Sequence, residues 1–357
     1  MPRRAEGEAR PSAVLRPHAT CLQNILPLPV AKDGRKEILS AVFNGYDMDV
    51  LLYLGLFILS LAVLLKASGW FVDSAERIGL SLGASPFIIG VTIVAFGTSL
   101  PELATSIASV LTGQSAIVVG NVVGSNITNI ALVLGLAAVV VNRIELDYNI
   151  WHIDMPFLWG SAFLLGFTLY DGRFSLVEAL LFLVGIVIFL AYSFKSEEVE
   201  KLEMERPAAN WQSYVMLVVG GGLVYFGADY TILAIQKLSA FAGVSPEIIA
   251  LSAVALGTSL PEVIVSLNAA RRGKASIAVG NVLGSNIFNT YVVMSVPSFF
   301  GKLDIPQEIN SLYLPLMIVM TMLFGIMSNN KKITRWEGAV LLMFYVFFTT
   351  QLLEEAL

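Results

Sequence analysis

Two copies of one hexapeptide, 160 residues apart, constrain this chain more than anything else in it. Gly97-Thr98-Ser99-Leu100-Pro101-Glu102 recurs as Gly257-Thr258-Ser259-Leu260-Pro261-Glu262, each inside a long apolar run. A carboxylate in such a run is costly, and ionisable groups at membrane depth mark ion or proton paths. A second matched pair follows each copy at the same distance. These are Gly120-Asn121-Val122-Val123-Gly124-Ser125-Asn126-Ile127-Thr128-Asn129 and Gly280-Asn281-Val282-Leu283-Gly284-Ser285-Asn286-Ile287-Phe288-Asn289.

The surrounding composition decides the solvent. Of 357 residues, 56% are hydrophobic and 14% charged, with mean hydropathy +0.75. Repeated runs of about 20 apolar residues match the roughly 30 Å of hydrocarbon that a helix must cross. Strand-like alternation is missing, so an all-α polytopic membrane protein is expected, with no barrel. Ten candidate spans lie near 49–72, 85–111, 117–141, 151–170, 174–194, 211–236, 245–270, 277–300, 308–328 and 334–353. The single Cys21 excludes an internal disulfide framework. His18 and His152 are too few and too far apart for a metal site.

Residues 1–48 read as a disordered tail. Arg3 and Arg4 are followed by polar sequence, so no signal peptide is expected. Residues 195–210 are rich in Lys and Glu and read as a solvated linker between a first half, 49–194, and a second, 211–357. Loops after the odd-numbered spans up to the ninth hold eleven basic residues, against three in the loops after even-numbered spans. The richer side is expected to be cytoplasmic, which puts both termini outside an inner (plasma) membrane.

A shift of 160 residues superposes the halves. Between 95–129 and 255–289, 19 of 35 positions are identical without a gap. Five spans per half is an odd number, so the second half enters the membrane inverted. Inverted repeats with interrupted helices point to a transporter whose site lies at the midplane between them.

The motif residues supply oxygens. Pro101 has no N–H, so the Gly97 carbonyl loses its helical partner, and Pro261 does the same to Gly257. Thr98 and Glu102 share a helix face at i, i+4, with Ser99 at i, i+3; Thr258, Ser259 and Glu262 repeat the pattern. Hard cations such as Ca²⁺ take six to eight oxygens of this mixture. Ser125 and Asn129, and Ser285 and Asn289, are spaced to complete the shell or to hydrogen-bond the glutamates. Gly120 and Gly124, and Gly280 and Gly284, form small faces that admit a neighbouring helix. Asn121, Asn126, Asn281 and Asn286 read as interhelical hydrogen-bonding residues. Asp229 faces no acidic counterpart, since Gly69 stands at the matching position, and it reads as structural or vestibular.

The paired motifs resemble the alpha-repeats of the calcium/cation antiporter superfamily, and among them the prokaryotic sodium/calcium exchangers. The resemblance implies ten helices in two inverted five-helix repeats, and exchange of Ca²⁺ against Na⁺. It implies ion ligands at Glu102, Glu262, Thr98, Ser99, Thr258, Ser259, Ser125 and Ser285, with backbone carbonyls at Ala95 and Ala255. Members often carry Asp at one of the positions of Asn129 and Asn289; here both are Asn. The expected function is a secondary-active antiporter moving Ca²⁺ outward against inward Na⁺, with proton-coupled Ca²⁺ antiport as the alternative. A passive channel fits inverted repeats less well. A hydrolase lacks a base within a span. No enzyme activity, cofactor, nucleic acid or obligate protein partner is expected. The ions are the substrates and the lipid bilayer the surroundings.

Overall fold

The computed structural model describes residues 32–146, 150, 151, 154–196, 208–242 and 257–356. The chain divides into two units, Met1–Asp49 and Val50–Leu357, and every site residue belongs to the second. The first helix, α1, runs Lys32–Ser81, so the turns from residue 32 to 48 are helix where a tail was expected; residues 1–31 lie outside the described residues. So does most of the linker expected over 195–210.

Helix α2 (Pro86–Leu111) starts where Pro86 follows the N-cap Ser85, whose Oγ accepts from the Ile88 N–H at 3.3 Å. Proline at that position costs no hydrogen bond. Helix α2 ends at Gly113 (φ +77°), and helix α7 (Leu260–Arg271) ends the same way at Gly273 (φ +78°). Only glycine takes this left-handed turn cheaply, and it lets late N–H groups return to the last helical carbonyls. Gln114 N–H thus reaches Ser109 O at 2.8 Å, and Lys274 N–H reaches Ala269 O at 2.9 Å.

Each turn leads directly into the second motif. Helix α3 (Ala116–Val141) carries a π turn over Asn129–Leu134. Helix α8 (Ala275–Phe288) runs into a π turn over Asn289–Val293, so both π turns begin at the paired asparagines. Widened turns of this kind concentrate at functional sites. A third occupies Gly90–Val94 within α2.

The remaining helices are α4 (Asp154–Thr168), α5 (Leu176–Ser196), α6 (Trp211–Phe241), α9 (Ile309–Ser328) and α10 (Arg335–Ala356). Ser175 and Glu178 cap α5 reciprocally, and Thr334 and Glu337 cap α10 likewise. Eight helices among the described residues are long and apolar enough to cross a membrane. Two expected spans are not among them. That near 151–170 is the 15-residue α4, and that near 245–270 is described only from residue 257.

One feature corrects the all-helical expectation. Strands β1 (Arg143–Glu145) and β2 (Lys332–Thr334) pair antiparallel, with Ile144 opposite Ile333. Three residues are too few to show an alternating pattern, and both turn residues beside them, Asn142 and Lys331, have positive φ.

Burial separates the helices. The spanning window of α8 is 94% buried and that of α3 78%, against 11% for α1 and 17% for α10. The motif helices are therefore the core, and the outer helices present apolar faces as lipid requires. Gly280 and Gly284 admit α2 against α8: a Cβ on Gly284 would lie 2.2 Å from Val91 O, and one on Gly280 2.5 Å from Phe87 O. Gly120 and Gly124 have looser neighbours among the described residues, Ile309 and Phe348. At one end of the core, Asp73 of α1 pairs with Arg272 at 2.7 Å and with Lys274, while Lys274 also meets Glu76 at 2.7 Å.

Candidate ion-binding site

Glu102 and Glu262 are both 0% exposed, each on a motif helix just past its proline. Helix spacing puts Ser99 on the face of Glu102, yet the Ser99 hydroxyl donates to Glu262 Oε1 at 3.1 Å. The first motif thus contributes to the carboxylate of the second. Glu262 Oε2 and both oxygens of Glu102 have no hydrogen-bond partner among the described residues. Burying a carboxylate oxygen without a partner is expensive unless a cation or proton takes the place of water.

Other hydroxyls of the two motifs are bonded across the halves. Thr98 Oγ1 donates to Asn281 Oδ1 at 3.2 Å, and Thr258 Oγ1 donates to Asn121 Oδ1 at 3.1 Å. The two bonds are related by the 160-residue shift with the donor and acceptor halves exchanged. Ser259 Oγ donates to Ser125 Oγ at 3.3 Å, and Ser125 in turn lies 3.4 Å from Asn121 Oδ1. The expected site residues thus fall into three bonded sets: Thr98 with Asn281, Ser99 with Glu262, and Thr258, Ser125 and Ser259 with Asn121, which also donates to the backbone carbonyl of Glu102.

Ser285, Asn129 and Asn289 are fully buried, and their side-chain polar atoms have no partner among the described residues. Neither asparagine hydrogen-bonds a glutamate among the described residues, so the bond to a glutamate, one of the two roles expected of them, is not formed here. Ala95 is buried, and its carbonyl lies 3.4 Å from Thr98 Oγ1. Ala255 lies outside the described residues, as do Cys21, His18 and the side chain of His152. Asp229 is exposed on α6 and takes no part.

The asparagines read as interhelical hydrogen bonders do act so. Asn121 Nδ2 donates to Glu102 O at 3.2 Å and to Ser106 Oγ at 3.0 Å, joining α3 to α2. Asn281 Nδ2 donates to Ser266 Oγ at 2.8 Å, joining α8 to α7. Asn126 Nδ2 reaches Thr290 Oγ1 at 3.0 Å, and Asn286 Nδ2 reaches Asn126 O at 3.3 Å. Ser106 and Ser266 escaped the sequence reading. Their signal was present: both are serines at matched positions, one helical turn beyond each glutamate.

No group of three or more His, Cys, Asp or Glu side chains is assembled among the described residues. The cluster thus carries two acids and an excess of neutral oxygens. That donor set suits hard cations and offers nothing to a soft transition metal.

The model of the sodium/calcium exchanger protein family matches residues 52–195 and 212–353, one segment in each half. The chain belongs to the sodium/calcium exchanger family. It is a multi-pass membrane protein and a cation antiporter, not an enzyme. It is 33% identical to the sodium/calcium exchanger MaX1 of Methanosarcina acetivorans, over 82% of this chain and 95% of that one. The inner membrane protein YrbG of Escherichia coli is 30% identical over 82% of this chain and 94% of its own. Among solved structures, the sodium-calcium exchanger NCX_Mj soaked with zero Na⁺ and Ca²⁺ superposes with a TM-score of 0.75. It is 33% identical, over 85% of this chain and 99% of that one.

Proposed function

We propose that this family member exchanges Ca²⁺ for Na⁺ by alternating access through one midplane site, built from two inverted five-helix repeats. Ten spans, a cytoplasmic linker near 195–210 and both termini outside the inner membrane complete the reading. The observation that carries it is the pair of fully buried carboxylates, three of whose four oxygens have no partner among the described residues, with hydroxyls of the two motifs bonded across the halves. Two carboxylates offset one divalent ion or two monovalent ones, so the ions compete for the same oxygens and one binds as the other leaves. Glu102, Glu262, Thr98, Ser99, Thr258, Ser259, Ser125, Ser285, Asn129, Asn289 and the carbonyls of Ala95 and Ala255 are the ligands in this reading.

The exchanged donor and acceptor halves of the threonine bonds support the repeat arrangement, as do the matched π turns. The outward direction for Ca²⁺ follows from an inward Na⁺ gradient. The test is uptake of radiolabelled Ca²⁺ into proteoliposomes with Na⁺, K⁺ and H⁺ gradients imposed separately. Uptake is expected only when Na⁺ is loaded inside. Flux that survives removal of Na⁺ and collapses with the proton gradient would assign proton coupling instead.

A further inference from the structure

The asparagines Asn121 and Asn281 do more than join helices. Each side-chain amide faces a threonine with its oxygen and a serine with its nitrogen: Thr258–Asn121–Ser106 and Thr98–Asn281–Ser266. An amide oxygen only accepts, so it draws the single hydroxyl proton of the threonine toward itself, at Thr98 in competition with the longer contact to the Ala95 carbonyl, 3.2 Å against 3.4 Å. The lone pairs of that hydroxyl are then left for other company. With the amide reversed, its NH₂ would donate to the threonine oxygen, occupying a lone pair and turning the positive end of a dipole toward the carboxylate cluster.

We infer that Asn281 with Ser266, and Asn121 with Ser106, are positioning residues that orient Thr98 and Thr258 to present lone pairs to the transported cation. This rests on the site proposed above. None of the four side chains need touch the ion; they act through the threonines. All four are at least nine-tenths buried, so water does not compete for the amides.

The two relays are not equally secured. Asn121 Nδ2 has a second acceptor, the Glu102 carbonyl at 3.2 Å, which accepts only and therefore fixes the orientation by itself. Asn281 Nδ2 has Ser266 Oγ as its one partner among the described residues. Removing the serine hydroxyl should therefore matter more at Ser266 than at Ser106.

The experiment measures Na⁺-driven Ca²⁺ flux in proteoliposomes for Ser266→Ala, Ser106→Ala and Ser266→Thr. Loss of one buried hydrogen bond and release of the amide predict a rise of roughly tenfold in the KM for Ca²⁺ in Ser266→Ala. A rise of about twofold is expected in Ser106→Ala, where the carbonyl still holds the amide. The rate at saturating Ca²⁺ should change little, and Ser266→Thr, which keeps the hydroxyl, should restore most of the affinity. In a Thr98→Val background the Ser266→Ala substitution should add less than about twofold, because the two act in series. If Ser266→Ala does not insert, Asn281→Ala carries the same expectation and the same cycle with Thr98→Val.

An unchanged KM, equal effects at both serines, a fall in rate with no change in KM, or additivity with Thr98→Val overturns the inference. Glu102→Gln, run alongside, separates the levels. Transport by that variant defeats the proposed site itself, whereas an inactive Glu102→Gln beside an unaffected Ser266→Ala defeats only the relay.

Discussion

At the scale of single residues, the fully buried Glu102 and Glu262 carry the charge of the proposed site. Replacing either by Gln keeps the shape and removes one of two charges, leaving a bound divalent ion undercompensated. At an effective dielectric near 20, two unit charges about 4 Å apart interact by about 4 kcal/mol, roughly a thousandfold in occupancy. Glu102→Gln and Glu262→Gln are each expected to abolish Ca²⁺ exchange while inserting normally. Near wild-type flux in either variant would show that the two-carboxylate site is wrong.

Asn129 and Asn289 argue a second outcome at this scale. With both neutral and no third acid assembled beside them among the described residues, the charge of the proposed site is that of Glu102 and Glu262. A K⁺ bound beside Ca²⁺ would leave a net positive charge in a dry pocket, which a low dielectric penalises heavily. Exchange should therefore proceed without K⁺. The check is Na⁺-driven Ca²⁺ flux with choline replacing K⁺ on both sides and the membrane potential clamped. A large fall in rate on removing K⁺ would contradict the charge count.

At the scale of elements, the meeting of α2 and α8 has the least tolerance. Val91 O stands 2.2 Å from where a Cβ of Gly284 would sit, and the obstacle is backbone, which cannot swing aside. Gly284→Ala must push α2 away from α8, at a cost of about 3 kcal/mol for overpacking. It should also displace Asn281, three residues earlier on the same helix, from Thr98. The expected result is lower thermal stability in detergent together with loss of flux. Gly124→Ala should be milder, since the nearest atom to its Cβ is Phe348 Cζ at 3.9 Å. Equal effects at the two glycines would refute this account of the packing.

Much of this element level was readable in advance, for identifiable reasons. Pro86, Gly113 and Gly273 act through their own backbone restrictions, so helix starts and ends follow from local chemistry. The break expected at the first motif is absent, since Pro101 lies inside the continuous helix α2, whereas in the second copy a turn over Thr258 and Ser259 precedes α7. The π turns at Asn129 and Asn289 were not readable, because a widened turn reflects how neighbours pack against it and not a preference of its own residues. The β1–β2 ribbon escaped for a similar reason. Its partners, Ile144 and Ile333, are 189 positions apart and meet only through the arrangement of the helices that carry them.

At the scale of the whole molecule, the sequence alone determined the solvent, the helical class and the identity of the acids. Each of these follows from a rule that operates within one segment. Apolar runs of spanning length require a bilayer, unpaired backbone in lipid requires helices, and a carboxylate in such a run requires a use. The duplication at 160 residues also named most of the cluster, because a residue kept in both copies serves both. Tertiary structure alone decided who bonds to whom. Helical spacing put Ser99 beside Glu102, but its hydroxyl reaches Glu262 on the other half. Thr98 and Thr258 find their acceptors 183 and 137 positions away, and Ser106 and Ser266 hold those acceptors from behind. A side chain's partner across an interface depends on how closely two helices approach and at what rotation. For α2 and α8, which bring Thr98 to Asn281, the approach is set by the close backbone contact at Gly280 and Gly284, which no single segment contains.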